Sequence, residues 1–444
     1  MTGRNEVIVV SVVCLIVSVA LAAAAGGAEG GKVFTVADDK FGPVYRVDMK
    51  KVKSAADLRA VPGVKIAWNL HGGNASWLAN ARDVDGDGKI DLIAGVETKG
   101  IRRIARYTQG GRRIWGSEQI NTGLGHESGL AIEDLDGDGK YEVVFNVHRQ
   151  LWCLDAGSGK TKWKIDLPNC RDNYQGSVVG HFLDRKRLAV VCRVARDVTC
   201  YDASGKKVWT YSIDHKNLYG HDMVSCDADG DGLDEVYVSL VGKFLALGGD
   251  GKLRWADATC PGHSDFILCG DVDGDGDREI VYDRAGCTAR RGPIVCVEGR
   301  TGKVVQEWTY ARPGKDHLQR GTLGDFDPSR RGLELAAVGK KQGLGGLIMW
   351  SAAGKPAWRK DIPAGWLTCG DWDGDKTSEI MSSGGGGWEV WTGGGKRLYA
   401  ISGIGTMPLG IESAGRQRPD LDGNGKADVL LLAGSGYVVL MEAP

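Results

Sequence analysis

Residues 83–91 read DVDGDGKID, and this stretch decides the architecture. Carboxylates fall at its positions 1, 3, 5 and 9, as Asp83, Asp85, Asp87 and Asp91, with glycines between them. Oxygen ligands at that spacing, completed by a backbone carbonyl at position 7, gather around one hard cation in the manner calcium requires. An EF-hand opens in the same way but ends on an acid at position 12. Here that position is Ala94, or Phe145 in the next copy, so strands rather than helices are expected on either side.

The stretch recurs along the chain. DLDGDGKYE carries Asp134, Asp136, Asp138 and Glu142; DADGDGLDE carries Asp227, Asp229, Asp231 and Glu235; DVDGDGDRE carries Asp271, Asp273, Asp275 and Glu279. DWDGDKTSE supplies Asp371, Asp373, Asp375 and Glu379, and DLDGNGKAD supplies Asp420, Asp422, Asn424 and Asp428. A variant, DFDPSRRGLE, retains Asp325, Asp327 and Glu334. Loop starts lie 44 to 54 residues apart, apart from a gap of 93 between Asp134 and Asp227. One repeat has lost its loop there: residues 177–192 (SVVGHFLDRKRLAVVC) fit it, with His181 in place of the first acid. The count is eight.

A second landmark gives the same count. A small-residue turn followed by an aromatic recurs at Trp115, Trp163, Trp209, Trp255, Trp308, Trp358 and Tyr399, with Trp68 as the eighth. Each repeat reads as strand A, acidic loop, strand B, strand C, Gly-Lys turn and strand D. The chain ends after two strands of its last repeat, so residues 64–70 are expected to supply the missing outer strand and close the ring. The expected fold is an all-β, eight-bladed β-propeller of four-stranded blades, with calcium loops between strands A and B.

Composition agrees with this. Glycine is 68 of 444 residues against 12 prolines, too many glycines for a helical bundle and too few prolines for collagen. A hydrophobic share of 42% excludes a disordered chain, and a formal charge of -1 gives no reason to expect nucleic acid as a partner. Six bound Ca²⁺ would add twelve positive charges and favour an anionic partner.

Residues 7–25 form an apolar run closed by small residues, which reads as a secretory signal peptide (1–25), with an uncleaved anchor as its rival. An N-terminal extension (26–60) and the propeller (61–444) follow, with no other membrane span. The expected location is secreted, periplasmic or cell-surface. A monomer is expected. Ten cysteines remain beyond Cys14; Cys192/Cys200 and Cys287/Cys296 are spaced like hairpin neighbours that could be bridged, while Cys269 and Cys369 read as buried thiols.

Candidate catalytic residues gather at the face opposite the loops. His126, His263 and His317 each lie eight residues before the first acid of their loop, and Tyr219 shares that slot with His221 two residues beyond. Eight residues at about 3.3 Å each carry strand A across the blade to the channel. His148 lies near the end of strand B of blade 2, beside His126. Blade 3 adds Tyr174 on strand A and Arg193 and Arg196 at the end of strand B. Histidine as base (His126 or His148), arginine as carboxylate clamp (Arg193 or Arg196) and tyrosine as proton donor (Tyr174 or Tyr219) suit β-elimination from a uronate. The alternative is a non-catalytic propeller that binds glycans or proteins, with Trp77, Trp366 and Trp388 as sugar platforms.

The repeats resemble the FG-GAP/VCBS class of calcium-binding propellers. Residues 122–143 (TGLGHESGLAIEDLDGDGKYEV) and 316–335 (DHLQRGTLGDFDPSRRGLEL) are most similar to the eight-bladed rhamnogalacturonan lyases. That resemblance implies calcium-dependent, extracellular cleavage of an acidic polysaccharide by β-elimination; ulvan lyases are similar in using His, Tyr and Arg. That family usually carries a β-sandwich ahead of the propeller, and residues 26–60 are expected to form only a short extension in its place.

Overall fold

The computed structural model describes residues 33–71, 73–121, 129–147, 149–167, 175–220, 223–260, 262, 264–284, 293–308, 318–339, 346–351, 353–362, 365–384, 386–405, 407–409, 420–434 and 436–444. Among them the strands assemble into eight sheets with antiparallel blades of four strands each, consecutive in the chain except in the closing blade; the sheet of blade 7 is extended to six strands by an added hairpin. Blade 1 opens at Asn74–Arg82 and blade 2 at Leu130–Glu133. Blades 3 to 7 open at Gln175–Gly180, Met223–Cys226, Ile267–Gly270, Leu318–Gly324 and Leu367–Gly370. In blade 8, Val64–Asn69 pairs antiparallel with Tyr437–Met441, so the two ends of the described ring share one sheet.

Burial follows each strand's place in the blade. The B strands Glu142–Val147, Ala189–Val194 and Glu235–Leu240 are buried at every residue, because neighbouring blades cover both faces. The D strands Thr161–Asp166 and Lys207–Ser212 alternate between half-buried and exposed at the outer rim. The core is divided into eight clusters, one in each seam between adjacent blades. In blade 3, Cys192 joins the seam with blade 2 and Cys200 the seam with blade 4.

That division corrects the expected cysteine pairing. Strand register places Val191 opposite Cys200 and Cys192 opposite Thr199, so Cys192 and Cys200 face opposite sides of the blade and both remain free thiols. Cys269 instead joins Cys226 as a disulfide between the innermost strands of blades 4 and 5, with Cα atoms 6.6 Å apart. Cys369 is the buried thiol expected of it, accepting a hydrogen bond from Thr322 at 3.0 Å; burial pushes it up to about 12. Cys287 and residues 1–32 lie outside the described residues.

The aromatic landmark is a latch between blades. The indole Nε1 of Trp163 donates to Ala203 O at 2.8 Å, that of Trp209 to Gly249 O at 2.8 Å and that of Trp255 to Gly299 O at 2.8 Å, each reaching the C–D turn of the next blade. Trp68 reaches Thr108 O at 3.0 Å across the closing seam. Blade 5 departs from expectation. Its register places Gln306, not Trp308, opposite Cys296 before the strand bulge. Trp308 lies two residues further on, 1% exposed, its N–H without a partner among the described residues.

Part of the N-terminal extension is structured. The hairpin Phe34–Asp39/Gly42–Val47 adds to the outer edge of blade 7 by parallel pairing of Tyr45 with Ile401 and Arg46 with Ser402. Arg397 fastens it, bonding Asp39 at 2.6 Å and the carbonyl of Gly42 at 2.7 Å.

Candidate functional site

Strand A of each blade runs from the channel end that receives the D–A connection to the acidic loop, and strand B returns. The B–C turns and D–A connections therefore share one face, and the acidic loops and C–D turns share the other. Of the candidate catalytic residues, His126, His148, Tyr174, His221, His263 and His317 lie outside the described residues. Arg193, Arg196 and Tyr219 are described; Arg193 bonds the connection that carries Tyr219, on the first face between blades 3 and 4, and Arg196 lies in the B–C turn of blade 3.

Arg193 takes a role that the sequence reading missed. It is 2% exposed, and its guanidinium donates to Ala195 O at 3.1 Å, to Gly220 O at 2.7 Å and to Leu218 O. Three of its five N–H groups are spent on carbonyls and the side chain is buried, so this guanidinium is not open to a substrate carboxylate. Arg193 instead holds the connection that presents Tyr219, which is 38% exposed. Arg196, one turn of chain away, is exposed, and its backbone carbonyl receives the N–H of Ile213 at 2.7 Å. Arg196 is therefore the arginine of this pair that can meet a ligand.

Two further clusters on this face escaped sequence reasoning. The Asp257 carboxylate accepts from the Tyr282 hydroxyl at 2.8 Å and from Arg284 Nε at 3.0 Å, tying the end of blade 4 to strand B of blade 5. Arg320, three residues after His317, spans three blades: it bonds Asp265 O at 3.0 Å and lies 4.6 Å from the ring centre of Trp366. Trp366 is half-buried, whereas Trp388 is fully buried and cannot be a sugar platform. The proximity of Arg320 to His317 was the available signal; the Asp257 cluster had none, since its members come from separate strands.

On the opposite face, the acidic loops share one construction. The first acid accepts the loop's own N–H groups, as Asp83 does from Gly86 at 2.8 Å and Gly88 at 2.9 Å. The last acid is buried at the start of strand B and takes the N–H of loop position 2: Glu142 from Leu135 at 2.9 Å, Glu235 from Ala228 at 3.0 Å, Glu279 from Val272 at 2.8 Å, Glu379 from Trp372 at 2.8 Å. Asp428 does so from Leu421 at 2.7 Å and Glu334 from Phe326 at 2.9 Å. Loops also join hand to hand, as Ser378 N donates to Asp325 O at 2.9 Å and Ala427 N to Asp371 O at 2.7 Å.

The donor set suits a hard cation. Asp371, Asp373, Asp375 and Glu379 bring one oxygen each within 4.8 Å of one another, as do Asp134/Asp136/Glu142, Asp227/Asp229/Glu235, Asp271/Asp273/Glu279 and Asp83/Asp85/Asp87. Buried carboxylate oxygens have no hydrogen-bond partner among the described residues on Asp227, Asp325, Glu334 and Asp428. Burial pushes Glu235, Glu279 and Glu379 up to about 7, with the neighbouring aspartates adding repulsion. Asp428 is likewise raised to about 7, by burial first. Such a site is short of positive charge, which an oxygen-seeking divalent ion would supply.

A family model described as rhamnogalacturonan lyase family 11, C-terminal domain, matches residues 161–406, more than half of the chain. The chain belongs to rhamnogalacturonan lyase family 11. The family-11 match runs from strand D of blade 2 to the end of blade 7, so it takes in both Arg196 and Tyr219. An FG-GAP-like repeat model matches residues 83–145, from the first acidic loop into strand B of blade 2.

This family-11 chain is 24% identical over 425 residues to the rhamnogalacturonan endolyase YesW of Bacillus subtilis (strain 168), covering 79% of the chain and 64% of YesW. Among solved structures it is similar to the exotype rhamnogalacturonan lyase YesX, with a TM-score of 0.66 and 18% identity over 85% of this chain and 76% of that one. The rhamnogalacturonan lyase PL11 of Bacillus licheniformis gives a TM-score of 0.63 and 20% identity over 86% and 74%. At such identities these structures speak for the fold.

Proposed function

We propose that this chain is a secreted, calcium-stabilised polysaccharide lyase that cleaves a uronate-containing polysaccharide of rhamnogalacturonan type by β-elimination. Family membership over residues 161–406 is the observation that carries the reading. In the reaction, a base removes the proton at C5 of the uronate. The freed electron pair forms the C4–C5 double bond as the C4–O bond breaks, and an acid protonates the departing oxygen. His126 or His148 is the proposed base. Exposed Arg196 stabilises the carboxylate on which charge develops, a task suited to a planar, permanently charged guanidinium. Tyr219, presented by the Arg193-anchored connection, or Tyr174 donates the proton. His221, His263 and His317 are proposed as further residues of the site.

Calcium, when bound, would neutralise buried loop acids such as Glu235, Glu279 and Glu379 and stiffen the A–B turns that carry them. No helix among the described residues is long and apolar enough to cross a membrane.

The test is incubation with rhamnogalacturonan, ulvan and other acidic glycans in the presence of calcium. Ultraviolet absorbance of unsaturated uronate ends is expected to rise with at least the rhamnogalacturonan. Binding to a glycan without such a product would instead favour the non-catalytic propeller.

A further inference from the structure

Three acidic loops hold a basic side chain of the same chain against their carboxylates. In blade 1, Arg106 comes from strand C and is 3% exposed. Its Nε donates to Asp91 at 2.9 Å, while its Nη2 meets Asp85 at 2.5 Å and also Asp91. In blade 2, Lys162 from strand D reaches Glu142 at 2.8 Å and Asp136 at 2.9 Å. In blade 8, Lys65 from the closing strand contacts Asp422 and, at 2.7 Å, Glu442, but one buried oxygen of the base acid Asp428 has no partner among the described residues. Among the described residues, no lysine or arginine from outside the loops of blades 4, 5 and 7 pairs with their carboxylates; Arg185, which approaches blade 4, meets only the backbone carbonyl of Asp231.

The two arrangements answer the same electrostatic need differently. A carboxylate buried at the base of a loop must be paired, and either a metal ion or a fixed side-chain cation can do it. Arg106 is the firmest case. Its guanidinium bridges the loop's third and ninth positions, the carboxylates a shared ion would draw together. A divalent ion entering there would sit beside a buried positive charge, which low local dielectric makes strongly unfavourable.

We infer that blades 1 and 2 carry resident side-chain cations in place of a metal ion, and that the chain's demand for calcium is concentrated in the other acidic loops, blades 4, 5 and 7 above all. This rests on the calcium reading of the loops. Its test counts ions bound to the full chain after chelation, by native mass spectrometry and calorimetric titration with calcium chloride. Glu279→Gln is expected to lower the count by one, Asp91→Asn to leave it unchanged, and Arg106→Gln to raise it by one.

Arg106→Gln should also melt several degrees lower in EDTA and recover when calcium is added; the double variant Asp91→Asn/Arg106→Gln removes both charges should the single one fail to fold. A count lowered by Asp91→Asn overturns the inference, as does an Arg106→Gln chain with unchanged count and melting. If the wild type binds no calcium while Arg106→Gln still melts lower in EDTA, the calcium reading of blades 4, 5 and 7 falls and internal neutralisation by Arg106 stands.

Discussion

The indole Nε1 of Trp115 donates to the carbonyl of Ala156 at 3.0 Å, joining the outer strand of blade 1 to the C–D turn of blade 2. The same turn lays Gly159 on the indole face: at φ +72°, a Cβ there would come 2.5 Å from the ring. Closing the ring preserves the relationship, since the Tyr399 hydroxyl of blade 7 donates to Pro62 O at 2.5 Å beside the strand that completes blade 8.

Two substitutions separate the parts of this latch. Trp209→Phe keeps the ring but loses the bond to Gly249, and should cost about 1 kcal/mol. Gly251→Ala introduces both a left-handed backbone penalty and a clash with Trp209, and should cost about 2–4 kcal/mol. Urea unfolding of the two variants checks the order; equal losses would mean that the glycine is not chosen for its contact with the ring.

Arg193 and Arg196 make a matched pair for the reaction. Arg196→Ala should lower kcat/KM by roughly 10²-fold or more while leaving the melting temperature unchanged. Arg193→Met leaves the carbonyls of residues 195, 218 and 220 without their donor, and about 1–3 kcal/mol of stability should go with them. If Arg193→Met melts normally but Arg196→Ala retains full activity, the assignment of the two roles is reversed.

Removing calcium should lower the melting temperature of the whole ring. Each site held at about 100 times its dissociation constant contributes about 2.7 kcal/mol, so dialysis against EDTA should produce a shift that magnesium at equal concentration restores poorly. A thermal scan with and without chelator reads it directly; identical curves would remove calcium from the account of stability.

The pH dependence of the metal-free chain has a definite sign. Glu279 is raised from its ordinary 4.5 to about 7 by burial. The folded metal-free state therefore holds its proton more tightly than the unfolded state. Its contribution to stability is fully present below the ordinary carboxylate value and is lost as pH rises through 7. In EDTA, Glu279→Gln should then be more stable than the wild type at alkaline pH, with the difference closing under acidic conditions. With calcium present the order at alkaline pH should invert. Melting curves at two pH values, with and without calcium, show whether the crossover occurs.

Much of the ring was legible before folding because its signals are local. Asp83 to Asp91 and the later copies are contiguous loops, so spacing alone yielded eight repeats, the lost loop at His181 and the borrowed outer strand at residues 64–69. Reading failed where one residue of register matters. Cys192 and Cys200 looked like partners by distance along the chain, yet pairing places them in different seams. Trp308 matched the landmark by composition, but the bulge in its hairpin gives that place to Gln306.

What the sequence determined by itself is the number of blades, the order of strands within them and the positions of the loop acids, since each depends on residues fewer than about fifteen apart within one repeat. Only the tertiary structure decided which cysteines meet, which arginine of blade 3 is spent on the backbone, and which loops are already neutralised. Arg106 stands fifteen residues from Asp91, and Lys65 is 357 residues from Asp422. No spacing rule brings such pairs together; the register of strand C in one blade and closure of the ring in the other do so, because a buried carboxylate is paired with whatever cation the packed strands place beside it.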